Sequence, residues 1–239
     1  MPRGATRSRL PEPIATVPGL GRNVRAPLVG CIACAVGFAI LAVLIHKSGS
    51  VQHFDAVLLG HFAERGSRTD SLAAGVVLLG DLGVLLPLLA IACGIALKRH
   101  RPRAALAALF VVAGANLTTQ LFKALLAHPR FEALLGYEQI GANSFPSGHT
   151  TAVASLAIAF AFVVPREWRP AVALIGTGLV IAVGCSVMAL DWHYPSDVLG
   201  GILVAAGWGF AALAGLRAMR GGSRRRSLQL DSRAAISMK

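Results

Sequence analysis

Long apolar runs separated by short polar breaks dominate the chain. They cover residues 26–46, 71–97, 103–123, 149–165, 170–190 and 197–219, each near the ~20 residues an α-helix needs to cross a bilayer core. This pattern predicts an all-α polytopic membrane protein with six transmembrane helices in a bundle. The fourth run, HTTAVASLAIAFAFVVP, is the shortest, and Pro165 to Pro170 must form a very tight turn into the fifth. Between the first two runs, Val51, Phe54, Val57, Leu58 and Phe62 recur near helical spacing. They predict an additional amphipathic helix lying on the outer interface or covering the bundle.

Composition agrees: 55% of residues are hydrophobic, 14% charged, and the mean hydropathy is +0.64. The charge is strongly basic, +12 at pH 7, and its placement sets the topology. Of the 23 Lys and Arg residues, all but Lys47, Arg65, Arg68, Lys123 and Arg130 fall on the side that carries both termini. By the positive-inside rule that side is cytoplasmic, which predicts a multi-pass plasma-membrane protein with both tails inside. The domains expected are a disordered basic tail over 1–25, a membrane domain over 26–219 and a second basic tail over 220–239. The excess charge sits in tails and short loops beside the spans, where it meets anionic lipid, so nucleic acid is not an expected partner. Cys31, Cys34, Cys93 and Cys185 all fall inside predicted spans and read as small packing residues. Nothing in the sequence sets an oligomeric state.

Candidate chemistry collects on the side opposite the tails. Lys123 closes the third run and Arg130 follows seven residues later, two cations suited to an anion, Arg130 as a fork and Lys123 as a point charge. In FPSGHTT, Ser147, the Gly148 amide and the start of the fourth helix form an anion-binding edge that carries His149. In SVMALDWHYPSD, His193 and Asp197 stand at i,i+4. The carboxylate can take the Nδ1 hydrogen of the imidazole and leave Nε2 as a nucleophile. His149 is then available to protonate a departing oxygen.

Lys123 with Arg130, then PSGH, then Ser186 through H-Y-P-S-D, in that order, resemble the three signatures of the type 2 phosphatidic acid phosphatase superfamily, K-x6-R-P, P-S-G-H and S-R-x5-H-x3-D. The resemblance covers roughly residues 50–215. It implies a lipid phosphatase with an extracytoplasmic active site, acting on phosphatidic acid, phosphatidylglycerol phosphate or a prenyl phosphate or diphosphate. His193 would form a phosphohistidine, Asp197 would orient it and His149 would act as the acid. Lys123, Arg130, Ser147 and Gly148 would hold the phosphoryl oxygens, with no metal and no cofactor. Asp191, Trp192 and His128 are further candidates for contact with substrate.

Two departures weigh on this reading. Arg130 is followed by Phe131 rather than proline, and the arginine of the third signature is replaced by Val187. A missing contact to the transition state costs ~3 kcal/mol. The alternatives are therefore an impaired, phospholipid-binding relative, or a phosphotransferase that passes the phosphoryl group to a lipid acceptor. Asp81, in the middle of the second run, is expected either to pair with the Asn116–Gln120 segment of the third or to lie beneath the active site.

Overall fold

The computed structural model describes residues 20–63, 67–127 and 140–237, and every regular element among them is helical. The helices are α1 (Leu20–Lys47), α2 (Gly49–Ala63), α3 (Ser67–Val77), α4 (Leu82–Lys98), α5 (Pro102–Leu125), α6 (Gly148–Val163), α7 (Arg169–Ala189) and α8 (Pro195–Ser237). Short 3-10 turns at Leu78–Gly80 and Arg166–Trp168 lead into α4 and α7. The basic tail expected over 1–25 lies outside the described residues up to residue 19, and α1 begins at Leu20, earlier than the apolar run suggested.

Four segments are long and apolar enough to cross a membrane: Val24–Lys47, Pro102–Leu125, Arg166–Ala189 and Pro195–Met219. The second predicted span is broken rather than continuous. Asp70–Gly80 and Leu82–Lys98 meet at a 46° bend, where Asp81 adopts an extended backbone (φ −75°, ψ 150°) and caps α4. By length and composition this makes four spans among the described residues, or five with the bent pair taken as one; Gly148–Val163 is apolar but shorter. The bundle's outer surface is apolar: Ile32, Ile40, Leu106, Leu117, Leu174 and Ile181 are all exposed, as suits a surface solvated by lipid tails rather than water.

The short helix α6 is the centre. It packs against α4, α5, α7 and α8, and its residues from Thr150 to Leu156 are buried throughout. Sixteen residues span about 24 Å at 1.5 Å per residue, less than the ~30 Å of a hydrocarbon core; a helix enclosed by its neighbours has no need to reach both surfaces. Ser147 starts it, its Oγ accepting from the Thr150 amide at 3.4 Å. Its last carbonyls, Phe162 O and Val163 O, accept from the Arg101 guanidinium at 3.2 and 2.9 Å. Several polar side chains inside the bundle pair with one another, as a low-dielectric interior favours. Asn116 donates to Ser155 Oγ at 3.3 Å, the Thr119 and Thr151 hydroxyls lie 3.0 Å apart, and Trp208 Nε1 donates to Thr118 Oγ1 at 3.1 Å. The Asn116–Gln120 segment thus serves α6 and α8 rather than Asp81.

α2 forms where the spacing of apolar residues placed a helix, with a different face inward. Phe54 and Val57 point outward, while Asp55, Ala56 and Leu59 are buried against the bundle.

Gly201 lets α8 approach α6 closely. A Cβ there would lie 2.7 Å from the Ser147 carbonyl oxygen and 2.9 Å from Thr151 Oγ1. Because the nearer obstacle is backbone, Gly201→Ala is expected to lower stability by about 1–3 kcal/mol, read as a drop in the thermal unfolding midpoint of the purified protein in detergent. An unchanged midpoint would mean that the α6–α8 contact is looser than described.

Candidate active site

The starts of α6 and α8 meet at one end of the bundle. The link is a backbone hydrogen bond from the Ser147 amide to the Asp197 carbonyl, 2.9 Å. One short segment on each side then carries a histidine toward the other: His149 in the first turn of α6, and His193 just before α8. Their ring centroids lie 6.4 Å apart, a gap that a phosphoryl-sized group fills when each ring approaches it to about 3–3.5 Å.

His193 is buried and Asp197 fully so. His193 Nδ1 donates to Asp197 Oδ2 at 3.4 Å, and the same oxygen accepts the Tyr194 amide at 3.0 Å. The carboxylate therefore fixes the tautomer with hydrogen on Nδ1, leaving the Nε2 lone pair for chemistry. The segment before His193 is shaped by how α7 ends. Asp191 takes a left-handed backbone (φ 56°), a conformation that Asp tolerates better than most non-glycine residues. The amides of Trp192 and His193 then fold back onto the Val187 carbonyl, at 3.0 and 3.3 Å. Asp191 thus has a local duty as the helix stop. Trp192 is exposed, and its ring lies 5.7 Å from that of His149.

His149 is half-buried, and its Nε2 donates to Asp81 Oδ1 at 3.2 Å. Asp81 was expected either in a buried hydrogen bond to α5 or beneath the active site; the second placement describes it. The break before α4 is the reason. A carboxylate inside a continuous apolar helix would face lipid at a cost of several kcal/mol, whereas the extended residue between two helices leaves its side chain 47% exposed and turned toward His149. Gly80 makes the approach feasible, since a Cβ on it would lie 2.7 Å from His149 Cα.

Lys123, half-buried in the last turn of α5, runs beside the first residue of α6: a Cβ on Gly148 would lie 3.9 Å from Lys123 Cε. It interacts electrostatically with Asp197 and His149. Ser147 is fully buried, and its Oγ accepts from both the amide and the hydroxyl of Thr150, at 3.4 and 3.0 Å. Arg130 and His128 lie outside the described residues. Among the described residues, no three His, Cys, Asp or Glu side chains are placed to share a metal ion.

One buried carboxylate escaped the reading of the sequence. Asp55 of α2 accepts from the Ser196 amide at 3.1 Å and from the Ser196 hydroxyl at 2.5 Å, so it holds the first turn of α8 between His193 and Asp197. An aspartate on the inward side of an otherwise apolar helix was the available signal.

Val187, where the resemblance calls for arginine, is fully buried among Val77, Val153 and Val183, with Leu190 and Val198 against them.

A family model described as the PAP2 superfamily matches residues 104–219. Among solved structures, the chain is similar to the transmembrane PAP2 type phosphatidylglycerolphosphate phosphatase from Bacillus subtilis, with 25% identity over 77% of this chain and 94% of that one and a TM-score of 0.65. It also shares a fold with Aquifex aeolicus LpxE, at 21% identity over 65% of this chain and 92% of that one, with a TM-score of 0.53. Characterised protein sequences gave no significant match.

The surroundings of Val187 decide what restoring arginine there would do. Among the described residues the cluster around Val187 is apolar, and burying a guanidinium in it costs several kcal/mol unless the charge is paired. Val187→Arg is therefore expected to lower the thermal midpoint and the yield of folded protein rather than to improve the site. A folded variant as stable as the wild type would show that the position opens toward the cleft.

Proposed function

We propose that this chain, whose residues 104–219 match the PAP2 superfamily model, is a multi-pass membrane lipid phosphatase that hydrolyses a lipid phosphomonoester or diphosphate through a phosphohistidine, without a metal ion. The observation that carries the reading is the buried His193–Asp197 pair, bonded through Nδ1, with the His193 ring 6.4 Å from that of His149.

In the proposed reaction the Nε2 lone pair of His193 attacks phosphorus. The bond from phosphorus to the lipid oxygen breaks, and His149, as imidazolium, gives its Nδ1 proton to that oxygen while its Nε2 hydrogen stays with Asp81. Asp197 keeps the Nδ1 hydrogen and offsets the positive charge that grows on the ring. Water then attacks the phosphohistidine, loses a proton to His149 and releases inorganic phosphate, which returns both imidazoles to their starting states. Lys123 and Arg130 hold the phosphoryl oxygens, together with the Gly148 amide at the start of α6, where the helix dipole favours an anion. Buried Ser147 contributes by fixing the turn that presents that amide. Asp81 is assigned to His149: it keeps a proton on Nε2 and sets the ring's rotation. Trp192 lies where a lipid headgroup would enter, and Asp191 shapes the link that carries His193. The substrate class is phosphatidic acid, phosphatidylglycerol phosphate, or a prenyl phosphate or diphosphate, and the likeness to the Bacillus phosphatase supports the second of these. On this reading both termini are cytoplasmic and the site faces outward across the plasma membrane.

The burial of Val187 favours a second reading, a phospholipid binder that no longer turns over, because it removes one cation from the phosphate. Phosphate release from a panel of lipid phosphates separates the two. Activity that survives a chelator and falls at least about a thousandfold in His193→Ala is the expected result, whereas no release from any substrate would leave only the binder.

A second substitution tests the acid. Asp81→Asn is expected to slow release of an alkyl alcohol about tenfold, a fraction of the 10²–10⁴ that a positioned acid supplies, and to slow release of an aryl alcohol less. The aryl oxygen departs with little need of a proton. Equal losses on both substrates would reduce Asp81 to a structural residue.

A further inference from the structure

A cavity lies at the far end of the bundle from the histidines. It measures about 550 Å³, and six basic side chains line it: His100, Arg101, Arg103, Arg166, Arg169 and Arg217. These residues come from four separate places. His100 and Arg101 form the turn between α4 and α5, and Arg103 lies in the first turn of α5. Arg166 and Arg169 come from the turn into α7, and Arg217 from α8. No acidic residue is among the described residues of the lining, and Glu167, in the same turn as Arg166, is not part of it. The distance from the histidine site follows from α5, which begins here at Pro102 and carries Lys123 in its last turn. At 1.5 Å per residue the two ends are about 30 Å apart, the thickness of a hydrocarbon core.

We infer that this cavity is a binding site for the phosphate headgroup of an anionic phospholipid from the leaflet opposite the active site. Three observations carry the inference. Arg101, Arg169 and Arg217 are partly withdrawn from water, where the attraction between a guanidinium and an anion is less screened than at the surface. Next, two helices open onto the cavity with their N-termini. Neither α5 nor α7 has an acidic residue in its first turn or a side-chain hydrogen bond at its N-cap, which leaves the positive end of each dipole for an external anion. Last, the lining is completed by Phe162, Leu213 and Leu216, apolar side chains that match the glycerol and upper acyl portion of a lipid and offer nothing to a free phosphate ion. The positive-inside rule explains why basic residues lie on this side. It does not require four segments to converge on one cavity, and basic pockets between membrane helices are a recognised seat for lipid headgroups. The site is separate from the proposed catalysis and holds whether or not the histidines turn over.

The test uses the full-length protein in a neutral detergent, with binding of phosphatidylglycerol and phosphatidylcholine followed by native mass spectrometry. Wild type is expected to retain phosphatidylglycerol in preference to phosphatidylcholine, and millimolar inorganic phosphate is expected not to displace it. In R103Q/R166Q, which leaves the Arg101 cap on α6 intact, affinity should fall about thirtyfold, since each basic side chain near an anionic lipid contributes roughly a fivefold factor. R103K/R166K, which keeps the charge, should recover most of it. R224Q/R225Q/R226Q in the C-terminal tail removes more charge and should change binding by less than about threefold if the cavity is the site. Three results would each overturn the assignment: no preference for the anionic lipid, displacement by inorganic phosphate, or an equal loss in the tail variant.

Discussion

The hydrogen bond from the Ser147 amide to the Asp197 carbonyl is the constraint on which the rest of the site depends. It joins the first residue before α6 to the first turn of α8 and so fixes the spacing of the two histidines, each within four residues of the junction. The bond is feasible only because Gly201 lets the backbones approach, and it persists because Ser147 and Asp197 are wholly shielded from water. A buried amide left without an acceptor costs about 1–3 kcal/mol, so the two helix starts cannot separate without penalty. Rigid placement of this kind is what catalysis by two side chains on different helices demands, because small errors in position reduce rates steeply.

Three aspartates at this end of the bundle each have a defined partner, and together they explain why a polar cluster is stable beside lipid. Asp197 takes the Nδ1 hydrogen of His193, Asp81 takes the Nε2 hydrogen of His149, and Asp55 takes two hydrogens from Ser196. Asp55 and Asp197 are buried and hydrogen-bonded to groups that stay in place. Asp81 is the more exposed, on a backbone break. Each histidine thus has its own carboxylate. The difference between a buried pair and a half-exposed pair is the kind of asymmetry that lets two like groups take opposite roles in a displacement.

Local features were legible in the sequence, and contacts between distant segments were not. The helices followed from apolar runs of spanning length, and the His193–Asp197 pairing from i,i+4 spacing, since both are set within a few residues. The break at Asp81 was hidden because one carboxylate barely alters the hydropathy of a long apolar run. Its partner His149 stands 68 positions away, and Ser196 stands 141 from Asp55. No periodicity reports such separations. The inward face of α2 was not set by the spacing of its apolar residues. A helix that packs an aspartate against a helix start and turns Phe54 toward lipid reverses the rule for a water-soluble surface.

Val187 shows how packing and electrostatics compete for one position. The same residue offers its backbone carbonyl to the Trp192 and His193 amides and its side chain to the valine cluster between α3, α6 and α7. An arginine here would have to keep the first contact while leading its charge out of the second. With valine, α7 and α3 pack closely behind His193, and the site keeps Lys123 and the α6 N-terminus as its positive elements among the described residues. A helix N-terminus carries about half an elementary charge at a fixed position, and a fixed dipole needs no reorganisation as charge develops on a phosphoryl group. On the proposed function, valine in place of arginine shifts the burden from mobile side-chain charge toward preorganised backbone. The Ser147–Asp197 junction, which aims that backbone at His193, matters the more for it.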